Sequence, residues 1–145
     1  MGVHNELKIN GLTELRAALL KLPAELSTRA GEIVLAHAED AARQMDAKYA
    51  EHEWTGTLRR SLSVTNENNF LRFGARAVVK NRAPHAYWAE HGTQIRKTAK
   101  GVTRGAMPPL KIFIPIAQRV RRTMEHVLIR FVEGYGIRVS NTNVS

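Results

Sequence analysis

The side chains with catalytic potential are six histidines, at positions 4, 37, 52, 85, 91 and 126, and 13 carboxylates; there is no cysteine. No two histidines stand four apart, the spacing that would set two metal ligands on one helix face. The chain contains no glycine-rich phosphate loop, no HExxH and no serine in a nucleophile-elbow setting. Without cysteine, disulfides and thiolate metal sites are excluded. His85, Glu90 and His91 lie close together in sequence, but no third defined ligand accompanies them. A metal-dependent nuclease needs clustered carboxylates beside its basic surface. Residues 52–145 supply only Glu53, Glu67, Glu90, Glu125 and Glu133, with no aspartate. The sequence therefore points away from an enzyme, and no metal or cofactor is expected.

Charge is more informative than these groups. The net charge is +9, and it is unevenly spread. Residues 1–51 hold 6 Lys/Arg against 8 Asp/Glu, whereas residues 52–145 hold 16 against 5. A one-sided basic surface attracts nucleic acid or acidic protein partners, unless it is simply a solvated face. Arg59, Arg60, Arg96, Lys97, Lys100 and Arg104 are the candidate contacts. Base-specific reading is not expected, because no helix-turn-helix or zinc signature is present.

The elements that must carry these residues follow from periodicity. A hydrophobic content of 43% suits one globular domain. No run of about 18 apolar residues or signal-peptide core occurs, so synthesis inside the cell without a membrane span is expected. The alternation in ELKIN (6–10) predicts a strand. Leu12, Leu15, Leu19 and Leu22 predict an amphipathic helix. Pro23 then starts a long helix over 24–49, whose inward stripe is expected at Leu26, Ala30, Ile33, His37, Ala41 and Gln44, with Val34, Ala38, Ala42 and Met45 beside it. His37 reads as a hydrogen-bonded core residue. Thr55 is a candidate N-cap for one helical turn, and 61–75 is expected to form an antiparallel hairpin with its second strand at 70–75, with Val78 and Val79 as candidates to extend the sheet.

The centre of the chain is PHAYWAEHGT (84–93) followed by MPPLKIFIPI (107–116). Tyr87 and Trp88 are expected against the core, with Gly92 turning the chain. Between the two stretches, residues 93–107 form a basic loop without any acid. A loop of this length inside a compact domain is usually functional or disordered. Pro108 and Pro109 then lead into a last helix over 110–133, with Ile112, Ile116, Val120, Met124, Val127 and Phe131 inward and Arg119, Arg121, Arg122 and Arg130 around the rest. Pro115 fits only if that helix starts near Ile114. Residues 137–139 are a candidate edge strand and 140–145 a flexible tail. Together these give one α+β domain over 1–139, with a long N-terminal helix and a C-terminal helix packed on a small antiparallel sheet.

At these residues the chain resembles the bacteriophage neck or tail-component proteins encoded between head-closure and tail-terminator genes. Members share a short strand, a glycine, a Leu-rich helix ending at Leu-Pro and a long helix. A TGxLRxSI element follows, matched by TGTLRRSL at 55–62. A YaxxvEfGT element is matched by YWAEHGT at 87–93, and a PxPFLxPA element by PPLKIFIPIA at 108–117. The order and spacing of the three elements, over nearly the whole chain from Leu7 to Phe131, carry the resemblance. Two features depart from it: the loop at 93–107 is longer, and His91 replaces the phenylalanine before Gly-Thr.

The resemblance implies a structural virion protein at the head–tail junction, made in the host cytoplasm, with no catalytic residues. It implies a homo-oligomeric ring, six- or twelve-fold. Its neighbours would be head-closure and tail-terminator or tail-tube proteins, with non-specific contact to packaged DNA. Tyr87, Trp88, Gly92, Pro108 and Pro109 would anchor the basic loop, and the loop would face the lumen or the next ring. The alternative is a small non-specific nucleic-acid-binding protein acting as a monomer or dimer.

Overall fold

The computed structural model describes residues 5–10, 24–52, 56–67 and 76–136, with residues 5–10 described by their backbone alone. Strand β1 is Asn5–Asn10 and helix α1 is Ala24–Ala50. A single turn of helix, α2, covers Thr57–Arg60 and leads into β2, Leu62–Asn66. Strand β3 is Arg76–Asn81, the short helix α3 is Ala86–His91, and α4 is Phe113–Glu133. The expected leucine helix at 12–22, the Thr55 cap, the strand at 70–75, the edge strand at 137–139 and the tail at 140–145 lie outside the described residues.

The protein is α+β, with α1 and α4 packed together and against the sheet. The strand order is β1-β3-β2, antiparallel throughout. Sequence reading paired β2 with residues 70–75. The observed register instead sets Leu62 opposite Asn81, Val64 opposite Val79 and Asn66 opposite Ala77. Among the described residues the partner of β2 is therefore Arg76–Asn81. The cause lies in β3 itself. Its run Ala77-Val78-Val79 is fully buried, as a central strand requires when both its faces are covered.

Helix α1 forms because its interior is rich in alanine and straight-chain residues, the strongest helix formers. Its buried stripe is Ala30, Val34, Ala38, Ala41, Met45 and Tyr49. Ala30, Val34, Ala38, Ala41 and Met45 are among the residues expected inward, whereas Ile33, His37 and Gln44 are only partly buried. His37 satisfies its ring locally, Nδ1 donating to the Ile33 carbonyl at 2.8 Å. The alanines let α4 approach closely, and α4 presents Ile116, Val120, Met124, Leu128 and Val132 in return. From Met124 onward the inward residues continue at intervals of four. Leu128 and Val132 are therefore core, whereas Val127 is exposed and Phe131 lies at the core's edge. Each such fully buried aliphatic side chain contributes about 1.5–3 kcal/mol. Helix α4 begins at Phe113, which puts Pro115 in the first turn, where its missing N–H costs nothing. No helix among the described residues is long and apolar enough to cross a membrane.

Candidate functional site

Residues 93–107 are a hydrogen-bonded two-stranded arm rather than a loose loop. At its base the Thr93 N–H donates to the Met107 carbonyl at 2.9 Å, and the Met107 N–H donates to Thr93 Oγ1 at 2.8 Å. Farther out, the Arg96 N–H donates to the Gly105 carbonyl at 3.1 Å and the Arg104 N–H to the Arg96 carbonyl at 2.7 Å. Lys97 and Thr103 form a bridge pair. The tip closes with the Thr98 N–H on the Val102 carbonyl and the Gly101 N–H on the Thr98 carbonyl, both at 2.8 Å. Threonine supplies part of the scaffold, since Thr98 Oγ1 also accepts from the Val102 N–H. Arg96, Lys97, Lys100 and Arg104 are all exposed along this arm. Among the described residues no carboxylate forms an ion pair with any of them.

The arm stands on α3, and here the structure corrects the sequence reading. Tyr87 and Trp88 are 41% and 53% exposed, so neither is packed into the core. The inward face of α3 is Ala86, Ala89 and Glu90. Small residues take that side because the returning chain passes close by, with the Leu110 N–H donating to the Ala89 carbonyl at 2.8 Å. Tyr87 and Trp88 line an outer cleft of about 620 Å³ together with Gly92, Thr93, Ile95 and Arg96, which puts them beside the arm's base. The Tyr87 ring also lies 4.5 Å from that of His91. Gly92 adopts φ 76° and ψ −178°, a region essentially closed to other residues. A Cβ there would meet the Met107 oxygen at 2.7 Å and the Pro109 nitrogen at 2.9 Å. Gly92 and Pro109 are therefore in direct apposition at the base. Pro108 is exposed beside them.

Glu90 is the residue whose role sequence reasoning missed. It is 3% exposed, and its carboxylate is spent on the start of α4. Oε2 accepts from the Ile112 N–H at 2.9 Å and the Phe113 N–H at 2.8 Å, and Oε1 accepts from the Ile114 N–H at 2.9 Å. Helix N-termini expose N–H groups and a positive dipole end, so a buried carboxylate fits there. A signal was present in the sequence. The residues leading into α4, Leu110, Lys111 and Ile112, include no Ser, Thr, Asp or Asn, so the cap had to come from elsewhere. His85 and His91 are not drawn into a site with Glu90, and among the described residues no three metal-binding side chains cluster.

Arg59 forms an ion pair inside the chain. Its guanidinium grips Asp46 with two bonds, Nε to Oδ1 at 2.9 Å and Nη2 to Oδ2 at 3.0 Å. The bond from Arg59 holds the Asp46 carboxyl below its ordinary value. Arg59 thus has a partner within the chain, and Arg60 lies exposed at the end of α2. Asn81 ties the sheet to α2, with Nδ2 donating to the Leu58 carbonyl and Oδ1 accepting from the Ala83 N–H, both at 3.0 Å.

The three sequence elements meet around one groove of about 600 Å³. Leu58 and Arg59 come from the first, Trp88 and Ala89 from the second, and Met107 and Leu110 from the stretch that opens the third. Arg96 reaches the same groove, whereas Lys97, Lys100 and Arg104 are carried away along the arm. Tyr49 closes the groove from α1. Burial pushes its hydroxyl up to about 12, the Glu90 charge adding to the shift and the Asn81 side chain opposing it. That hydroxyl makes no hydrogen bond of regular geometry among the described residues. Comparison with protein-family models, with curated proteins and with solved structures found no match to this chain.

Proposed function

We propose that this chain is a structural protein of a tailed bacteriophage virion, a head–tail connector or tail-completion component that assembles as a six- or twelve-fold ring around the DNA channel. The observation that carries the reading is the meeting of the three ordered elements, TGTLRRSL, YWAEHGT and PPLKIFIPIA, at one place in the fold. The second is tied to the third by the Glu90 carboxylate, and the first borders the second across the groove. An isologous pair would bury one patch against itself, whereas a ring needs a projecting element on one side of the subunit and a receiving face on the other. The arm is such a projection. Its neighbours in the virion would be a head-closure protein on one side and a tail-terminator or tail-tube protein on the other.

The arm's cations, which pair with no carboxylate among the described residues, also favour a second reading, a small non-specific nucleic-acid-binding protein that acts without a ring. Co-expression with the products of the adjacent genes, followed by electron microscopy of stained particles, separates the two. Closed rings with a central opening are expected. Dispersed single subunits under every combination of neighbours would remove the connector reading.

A further inference from the structure

We infer that the arm at 93–107 is a sequence-independent binding element for duplex DNA, gripping phosphates through Arg96, Lys97, Lys100 and Arg104. The four cations share one short ribbon, and Arg96 and Arg104 occupy neighbouring positions on its two strands. Like charges set across a strand pair destabilise it. Nothing inside the described chain offsets this, since no carboxylate pairs with the four. The sequence from His91 to Met124 contains no acid at all. A polyanion from outside is the natural complement.

The composition of the arm favours nucleic acid over an acidic protein surface. Protein interfaces are built around aromatic anchors and are depleted in lysine. Between Thr93 and Met107 there is no aromatic residue, and the exposed apolar side chains Ile95 and Val102 are set apart. Thr, Gln, Lys, Arg and open backbone N–H groups are the donors that phosphates take. The shape agrees as well. From Thr93 to the tip at Thr98 the ribbon extends roughly 17 Å at the usual strand rise. A two-stranded ribbon is an element that the major groove, about 12 Å wide, admits. The arm contains no asparagine and a single glutamine, Gln94, so the contact reads charge and shape. It rests on the nucleic-acid-binding reading given above and requires no ring.

The test uses the full chain with Trp54→Phe, which leaves Trp88, beside Arg96 at the arm's base, as the only tryptophan. A 30-base-pair duplex of random sequence is titrated while the Trp88 emission is followed. Binding is expected to weaken with salt with a log–log slope of about −3.6 for four phosphates, or about 150-fold between 50 and 200 mM. Lys97→Gln with Lys100→Gln is expected to reduce the slope by about 1.8. The fourfold variant, with Arg96→Gln and Arg104→Gln added, is expected to abolish the salt-dependent binding. Arg29→Gln with Arg43→Gln, on α1, is expected to leave both slope and affinity unchanged. Unaltered DNA binding by the fourfold variant would overturn the inference, as would failure of the parent to bind duplex at low salt. Loss of assembly with neighbours alongside intact DNA binding would also overturn it and make the arm a protein contact. A chain that never forms rings yet binds duplex through the arm would keep the inference and remove the connector reading.

Discussion

Replacing Glu90 by alanine removes a support on which the whole central region rests. One carboxylate serves three consecutive amides at 2.8–2.9 Å, and the Ile112 and Phe113 bonds are buried. Leaving a buried donor unsatisfied costs about 1–3 kcal/mol, and bonds to a charged group lie at the upper end. Two buried amides and one partly buried amide therefore give an expected loss of roughly 3–5 kcal/mol, a large share of a typical stability of about 5–15 kcal/mol. Glu90→Gln is the informative companion. With its carbonyl at the Oε2 position it keeps the Ile112 and Phe113 bonds, but its NH₂ then confronts the Ile114 N–H, and the charge is gone. Its expected loss is about 1.5–3 kcal/mol. Urea unfolding gives both differences, and hydrogen exchange locates them at the amides of Ile112, Phe113 and Ile114. A Glu90→Ala loss below about 1 kcal/mol with those amides still protected would refute the capping role.

Three other substitutions test separate parts of the fold. Gly92→Ala forces a side chain into φ 76° and against the Met107 oxygen and Pro109 nitrogen; thermal unfolding should show a loss of about 3 kcal/mol or more. Tyr49→Phe bears on alkaline stability. The folded-state value of about 12 lies above the ordinary 10.0, so the contribution of Tyr49 is fully present below pH 10 and is lost as the pH rises through about 12. Parallel denaturation series should show about 2–3 kcal/mol of alkaline loss in the parent that the variant lacks, with near-equal stability at pH 7. Asp46→Asn breaks the bidentate pair with Arg59. Both partners are partly exposed, so the cost should not exceed about 1 kcal/mol. Because the Asp46 carboxyl is held below its ordinary 3.8, the parent's advantage is present above that value and should vanish as the pH falls through the lowered one.

The two long helices were legible because periodicity and proline placement are local signals. Pro23 and Pro115 fixed their starts to within a few residues, and the stripes were displaced only where a three-residue interval was read in place of a four. Interactions distant in sequence were not legible. Glu67, Asn68 and Asn69 read as turn residues in isolation, whereas β2 pairs with β3, whose Ala77, Val78 and Val79 are fully buried. Tyr87 and Trp88 looked like core because they are large. The geometry instead gave the inward side to two alanines, where the chain at Leu110 comes within hydrogen-bonding distance of Ala89. Glu90 acts on residues more than 20 positions away, so only the missing cap of α4 hinted at it. The basic residues were found by composition, and the structure separated them, tying Arg59 to Asp46 and holding Arg96, Lys97, Lys100 and Arg104 out on the arm.

The most direct measurement is the native mass of the purified chain, alone and with the products of its adjacent genes. A species at six or twelve times the 16.3 kDa of one subunit, either alone or bound to a neighbour, is the expected result. A single subunit mass at every concentration and with every neighbour would contradict a ring at the head–tail junction.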